Sequence, residues 1–237
     1  MKEKYRILLV EDDDALGYLL SEYLQMKDMD ITWIRDGKAA LDELDKSVYD
    51  LAVLDVMMPH MDGFTLAKNL REKHTYLPFV FLTAKSLKVD VLKGFYLGAV
   101  DYLKKPIDEE VLVIRIKRLL STLKSSTNAV PISDTYKIGK YDFHALNQEL
   151  SCGNLKMSLT IKESELLKYL VNKKNQLCPH KDILIKLWGK NDYFNKKSLN
   201  VFITRLRKYL EQDGDIKIEN VHSKGYILRL PSEISKK

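Results

Sequence analysis

LAVLDVMMPHMDG, residues 51–63, is the stretch on which the fold turns. Its first four residues are apolar without alternation, the pattern of a strand covered on both faces, and Asp55 follows at once. A helical segment at about 64–72 comes next. The same succession recurs on either side. RILLV (6–10) precedes Leu16, Leu19, Leu20, Tyr23 and Leu24 at helix spacing, and ITWI (31–34) precedes a helix from about Lys38. FVFL (79–82) precedes a helix at about 86–97, and DYL (101–103) one at about 108–122. Five such units predict a doubly wound α/β domain with a five-stranded parallel sheet.

In such sheets function gathers at the carboxyl ends of the strands. Glu11 and Asp12 follow the first strand, Asp55 the third, Thr83 the fourth and Lys105-Pro106 the fifth. In the flavodoxin-like strand order 2-1-3-4-5, the first and third strands are neighbours and their acids converge. Packed carboxylates repel one another, and a divalent cation, Mg²⁺ by its ligand preference, usually sustains them. Opposite the metal, Thr83 and Lys105 would hold the equatorial oxygens of a transferring phosphoryl group. A lone Asp after a strand is more often a turn residue or a helix cap. The placement of all these groups at the ends of the proper strands favours the chemical reading.

The chain has 237 residues, enough for two domains, and its net charge of +6 is unevenly spread. Residues 1–122 hold 18 Lys/Arg and 21 Asp/Glu, for −3; residues 123–237 hold 21 and 12, for +9. A polyanionic partner, nucleic acid first, is therefore expected for the second half alone. No apolar run reaches the roughly 18–20 residues of a membrane span. The start, MKEKYRILLVEDDD, reaches four consecutive acids before any cleavage-like site, and Cys152 and Cys178 suggest no metal spacing or disulfide framework. Cytoplasm is the expected location.

TLKSSTNAVPISDTY loses periodicity, so 123–136 is expected to be a linker between domains at 1–122 and 137–232, with a tail at 233–237. Short strands (137–159) should precede a helix opening on the capping box TIKE (160–163), a second from Pro179 to Trp188, and a third over about 196–211. IKIENV and YILRL around HSKG form a hairpin. Three helices and a hairpin, the third helix basic, give a winged helix-turn-helix α+β pattern. At about 100° per residue, Leu199, Ile203, Leu206 and Leu210 share one stripe, with Lys197, Val201, Thr204, Arg205 and Lys208 opposite. Such a face suits the major groove, Val201 meeting thymine methyls and Arg205 a guanine or a phosphate.

LLVEDD, LAVLDVMMPHMDG, FLTA and DYLKKP resemble, in order, the motifs of bacterial response-regulator receivers over residues 4–122. The resemblance implies that Asp55 accepts a phosphoryl group from a sensor histidine kinase. Glu11 and Asp12 would hold Mg²⁺ with the Met57 backbone carbonyl, Lys105 would contact the acyl phosphate, and Thr83 and Tyr102 would be switch residues. Pro59 and Gly63 match the tight turn that leaves the acceptor open to its donor. LTIKESELLKYL, ILIKLWG, KSLNVFITRLRKYL and NVHSKGYIL resemble the OmpR/PhoB winged-helix effector over about 137–230. That implies a transcription factor binding repeated half-sites in double-stranded promoter DNA, with Lys197, Val201, Thr204, Arg205 and Arg207 in the recognition helix, Arg207 lying nearer the core stripe. GKNDYFNK (189–196) corresponds to a segment through which some relatives contact RNA polymerase.

Two places depart from the family pattern. Relatives usually pair a basic residue of the fourth helix with a glutamate of the fifth across a symmetric homodimer; here Val91 and Val111 stand there. Asp101 and Arg115 keep a second cross-dimer pair, and Lys117 remains while its usual acidic partner is Tyr96. A more apolar dimer through the face of helix 4, strand 5 and helix 5 is the expectation. In the wing, His222 replaces the arginine that often enters the minor groove, followed by Ser223 and Lys224, so Lys224 is expected to touch phosphate. Two other classes compete. An aspartate-nucleophile phosphatase needs a second acid, whereas Asp55 is followed by VMMP; a protein-interaction or RNA-binding output disagrees with the winged-helix pattern.

Overall fold

The computed structural model describes residues 4–127, 135–189, 191 and 193–231, and the chain divides into two compact units, Met1–Ala129 and Val130–Lys237. The first contains strands β1 (Tyr5–Val10), β2 (Met29–Ile34), β3 (Leu51–Leu54), β4 (Phe79–Thr83) and β5 (Asp101–Lys104). They pair in parallel in the order β2-β1-β3-β4-β5, as the flavodoxin-like reading requires. Helices α1 (Asp14–Met26), α2 (Gly37–Leu44), α3 (Gly63–Lys73), α4 (Lys88–Tyr96) and α5 (Glu109–Thr127) link them. All four residues of β3 are buried, which explains its unbroken apolar run. Carboxylates start three of the helices: Asp13, Asp36 and Asp62 accept backbone N–H groups of Leu16, of Lys38 and Ala39, and of Thr65. The acid run after β1 thus has a structural member, Asp13, among its functional candidates. Helix α5 continues to Thr127, past its expected end near 122 and into the stretch read as linker.

In the second unit β6 (Thr135–Ile138), β7 (Tyr141–His144), β8 (Glu149–Cys152) and β9 (Leu155–Ser158) form an antiparallel meander. β6 therefore begins inside the expected linker too. Helix α6 (Ile161–Asn172) opens on the predicted capping box: Thr160 Oγ1 accepts the Glu163 N–H while the Glu163 carboxylate accepts the Thr160 N–H. A short strand β10 (Cys178–Pro179), helix α7 (His180–Trp188), helix α8 (Tyr193–Tyr209) and the hairpin of β11 (Lys217–Val221) and β12 (Gly225–Arg229) complete a winged helix. Leu199, Ile203, Leu206 and Leu210 are all buried, as the stripe predicted, and Phe202 joins them against Trp188 at 5.9 Å between ring centroids. Helix α8 starts earlier than the expected 196, within the 189–196 segment; Lys190 and Asp192 of that segment lie outside the described residues, as does the tail at 233–237.

Candidate functional site

Three carboxylates meet at the carboxyl ends of β1 and β3. Each of Glu11, Asp12 and Asp55 offers one oxygen within 4.8 Å of the others. Glu11 and Asp55 are buried and Asp12 is half-buried, so solvent reaches the cluster on the Asp12 side. The sheet fixes the backbone here: Asp55 N–H binds Val10 O at 2.9 Å, and its Oδ1 accepts the Met57 N–H at 3.0 Å. A Cβ on Gly63 would lie 2.0 Å from the Asp55 carbonyl oxygen, so only glycine lets α3 begin this close to β3.

Lys105 closes the cluster. Its Nζ lies 2.6 Å from Asp55 Oδ2 and 2.7 Å from Glu11. Burial opposes the Lys105 charge, but hydrogen bonds to Asp55 and Glu11 outweigh it and hold its pKa above the ordinary lysine value. Burial pushes the Glu11 carboxyl up even though Lys105 pulls it down. Burial thus decides the direction at Glu11, and the two hydrogen-bonded carboxylates decide it at Lys105.

Thr83 is fully buried at the end of β4, its Oγ1 accepting the Lys85 N–H at 3.2 Å. Tyr102 packs on Phe81 at 5.6 Å and donates its hydroxyl to the Lys85 carbonyl at 2.8 Å. Burial pushes the Tyr102 phenol well above its usual range. A Cβ on Gly94 would sit 2.7 Å from the Tyr102 ring. Lys85 and Gly94 were not legible as site residues: the first contributes backbone, and the second contributes space.

In the second unit Thr204, Lys208, His222 and Lys224 are exposed, Lys197 and Val201 partly so. Arg205 differs from them. It is buried against Glu163, with Nη1 2.8 Å from Oε1 of that carboxylate. This corrects its expected place on the DNA face: Arg205 lies one turn from Phe202 on the packed side of α8, where burial requires a charged partner. Arg207 is likewise committed, donating Nε and Nη2 to the Ile218 carbonyl at 2.9 and 2.7 Å. With the Tyr226 hydroxyl on Asn200 Oδ1 at 2.7 Å, this bond braces the hairpin against α8. Glu163 was singled out only as a cap.

Residues 7–117 match the family described as "Response regulator receiver domain", and residues 154–228 that described as "Transcriptional regulatory protein, C terminal". The chain is 46% identical over 231 residues to the transcriptional regulatory protein RprY of Bacteroides fragilis, spanning 98% of this chain and 97% of that relative. It is 33% identical over 227 residues to TrcR of Mycobacterium tuberculosis, spanning 95% and 87%. The crystal structure of DrrB, described as a Thermotoga maritima OmpR/PhoB homolog, covers 96% of this chain and is itself covered to 100%, at 26% identity and a TM-score of 0.50. The chain belongs to the OmpR/PhoB response regulators. A RitR mutant, 23% identical with a TM-score of 0.76, shares the fold over 95% of this chain and 99% of its own.

An OmpR/PhoB regulator is a DNA-binding transcriptional regulator of a two-component system, which is the function expected of this chain. In this regulator the face of α4, β5 and α5 differs from expectation at one position. Val91 is buried in its own domain, one helical turn from buried Phe95, so it adds nothing to an exposed apolar face. Val111 and Tyr96 are exposed, as is Ile114, one turn after Val111 on α5. Arg115 Nη1 pairs with Asp101 Oδ2 of the same chain at 3.0 Å. Lys117 is exposed on α5. No helix among the described residues is long and apolar enough to cross a membrane.

Proposed function

We propose that Asp55 accepts a phosphoryl group from the phosphohistidine of a sensor histidine kinase, and that Mg²⁺ held by Glu11, Asp12, Asp55 and the Met57 carbonyl supports the transfer. The observation that carries this reading is the Lys105 ammonium on Asp55 inside a three-carboxylate cluster. Three negative charges against one positive leave two, the charge of a divalent cation, and the donors are the hard oxygens that Mg²⁺ prefers. Bound there, Mg²⁺ supplies charge neutralisation on the phosphoryl oxygens. An Asp55 oxygen attacks phosphorus as the P–N bond to the kinase histidine breaks, and Lys105 stays on the acyl phosphate. Thr83 then turns to the new oxygens, releasing the Lys85 N–H that it now accepts, and Tyr102 gives up the Lys85 carbonyl to move inward.

The switch shifts a population toward a homodimer through the face of α4, β5 and α5, with Val111, Tyr96 and Ile114 as its apolar part. Lys197, Val201, Thr204 and Lys208 enter the major groove of repeated half-sites, and His222 and Lys224 follow the backbone beside it. RNA polymerase is the further partner proposed for 189–196. The protein works in the cytoplasm and is a switch without turnover, since no second acid stands at Met57 for general acid/base work. Intact-mass measurement after treatment with acetyl phosphate and Mg²⁺ tests the central step. One phosphoryl adduct is expected on the wild type and none on Asp55→Asn; an adduct of equal yield on the variant would move the acceptor elsewhere.

A further inference from the structure

One side chain touches the acidic pocket without any part in the chemistry above. Trp33, near the end of β2, donates its indole Nε1–H to the main-chain oxygen of Glu11 at 2.9 Å. The next residue, Ile34, accepts the Glu11 N–H at 3.0 Å. Consecutive residues of β2 therefore hold both main-chain polar groups of Glu11. The bond from Ile34 extends ordinary strand pairing, but β1 has ended at Val10, and the bond from the indole has no equivalent in a sheet ladder.

The ring is clamped for this task. A Cβ on Gly17 of α1 would lie 2.3 Å from the indole, so the ring occupies space that only glycine leaves. The Arg35 guanidinium lies 4.3 Å from the ring centroid and pairs with Asp14 in the first turn of α1. Helix α1, which begins directly after the acidic pair, and strand β2 thus grip the same ring.

We infer that Trp33 is a positioning residue for the cation site, aiming the Glu11-Asp12 backbone so that both carboxylates converge on the oxygen offered by Asp55. The inference rests on the reading of this cluster as a Mg²⁺ site. Mg²⁺ tolerates little departure from octahedral geometry, and contacts that orient its ligands typically contribute about 10–100-fold in affinity. The two ligands are adjacent in sequence, so one hydrogen bond to the peptide between them orients both.

The test is direct cation binding to the full-length chain, following free Mn²⁺ by electron paramagnetic resonance and displacing it with Mg²⁺. Trp33→Phe keeps the ring but removes the donor. It should raise the Kd for both ions by about tenfold, with the melting temperature in EDTA nearly unchanged and acetyl phosphate labelling restored at high Mg²⁺. Gly17→Ala, which keeps the donor but displaces it, should weaken binding in the same direction. Unchanged affinity in Trp33→Phe would overturn the inference. So would a loss of affinity matched by an equal loss of thermal stability in EDTA, which would assign the ring to folding alone. A wild-type chain that binds neither ion would instead remove the Mg²⁺ reading on which the inference stands.

Discussion

The Lys105 ammonium bridges two acids from different strands, 2.6 Å from Asp55 and 2.7 Å from Glu11. It is the positive charge nearest the acceptor, and its removal should have opposite effects on metal and on chemistry. In Lys105→Met, three carboxylates lose their counter-charge, so Mg²⁺ should bind more tightly than in the wild type. Phosphoryl transfer, deprived of a donor to the transferring oxygens, should slow by about 10²–10³. Parallel measurement of Mg²⁺ affinity and labelling rate checks this; a parallel loss of both would show that Lys105 only supports the fold.

The same bridge predicts an alkaline limit. The Lys105 pKa in the fold lies above its ordinary value of 10.5, so the stability its partners provide is fully present below that value. It disappears as pH rises through the higher folded value. Thermal denaturation without Mg²⁺ should therefore show a loss of stability above about pH 10.5 that Lys105→Met lacks. Identical alkaline profiles for the two proteins would remove Lys105 as the cause.

Arg205→Ala should act on folding before it acts on DNA. It leaves Glu163 buried without its cation, a loss of roughly 3–5 kcal/mol in the winged helix. Urea unfolding followed by Trp188 fluorescence should show that destabilisation. Val201→Ala, by contrast, should leave folding nearly unchanged and weaken binding to the cognate operator more than to non-specific DNA. If Arg205→Ala folds as well as the wild type and loses only sequence preference, the buried pair is not what holds it.

Much of this was legible from the chain alone. The βα alternation and the pocket residues at strand ends are local patterns, and periodicity and spacing reveal them. Arg205 was placed from a stripe of a few aliphatic residues and Val91 from its correspondence to a family position, and neither source fixes where the packed side of the helix ends. Phe202, one turn before Arg205, and Phe95, one turn after Val91, carry the burial that decides both sides. Trp33 and Lys85 were invisible because each contact joins a side chain to a main-chain oxygen distant in sequence, the Trp33 indole to Glu11 at 2.9 Å and the Tyr102 hydroxyl to the Lys85 carbonyl at 2.8 Å.

At the proposed dimer face, exposed Val111 is the residue to charge. Val111→Asp should reduce association of the phosphorylated protein in light scattering while labelling of Asp55 proceeds normally. Val91→Ala should lower thermal stability by about 1–2 kcal/mol through lost burial, with little direct effect on association. An undiminished dimer in Val111→Asp would place the interface elsewhere.

Lys224→Ala in the wing should weaken binding similarly on all sequences and lower the slope of log K against log salt by about one. A loss confined to one operator would mean that Lys224 reads bases.

The pair of Arg205 and Glu163 also bears on how such a regulator changes its targets over generations. Glu163 caps α6 and, through Arg205, anchors α8, so a substitution at Arg205 that altered operator choice would first have to survive the destabilisation of the domain. On the proposed DNA face, drift in target preference would be channelled to Thr204 and Lys208, which are exposed, and to Lys197 and Val201, which are partly so. Transplanting the outward residues of α8 alone, with Arg205 kept, is the corresponding route for rewiring the regulator by design.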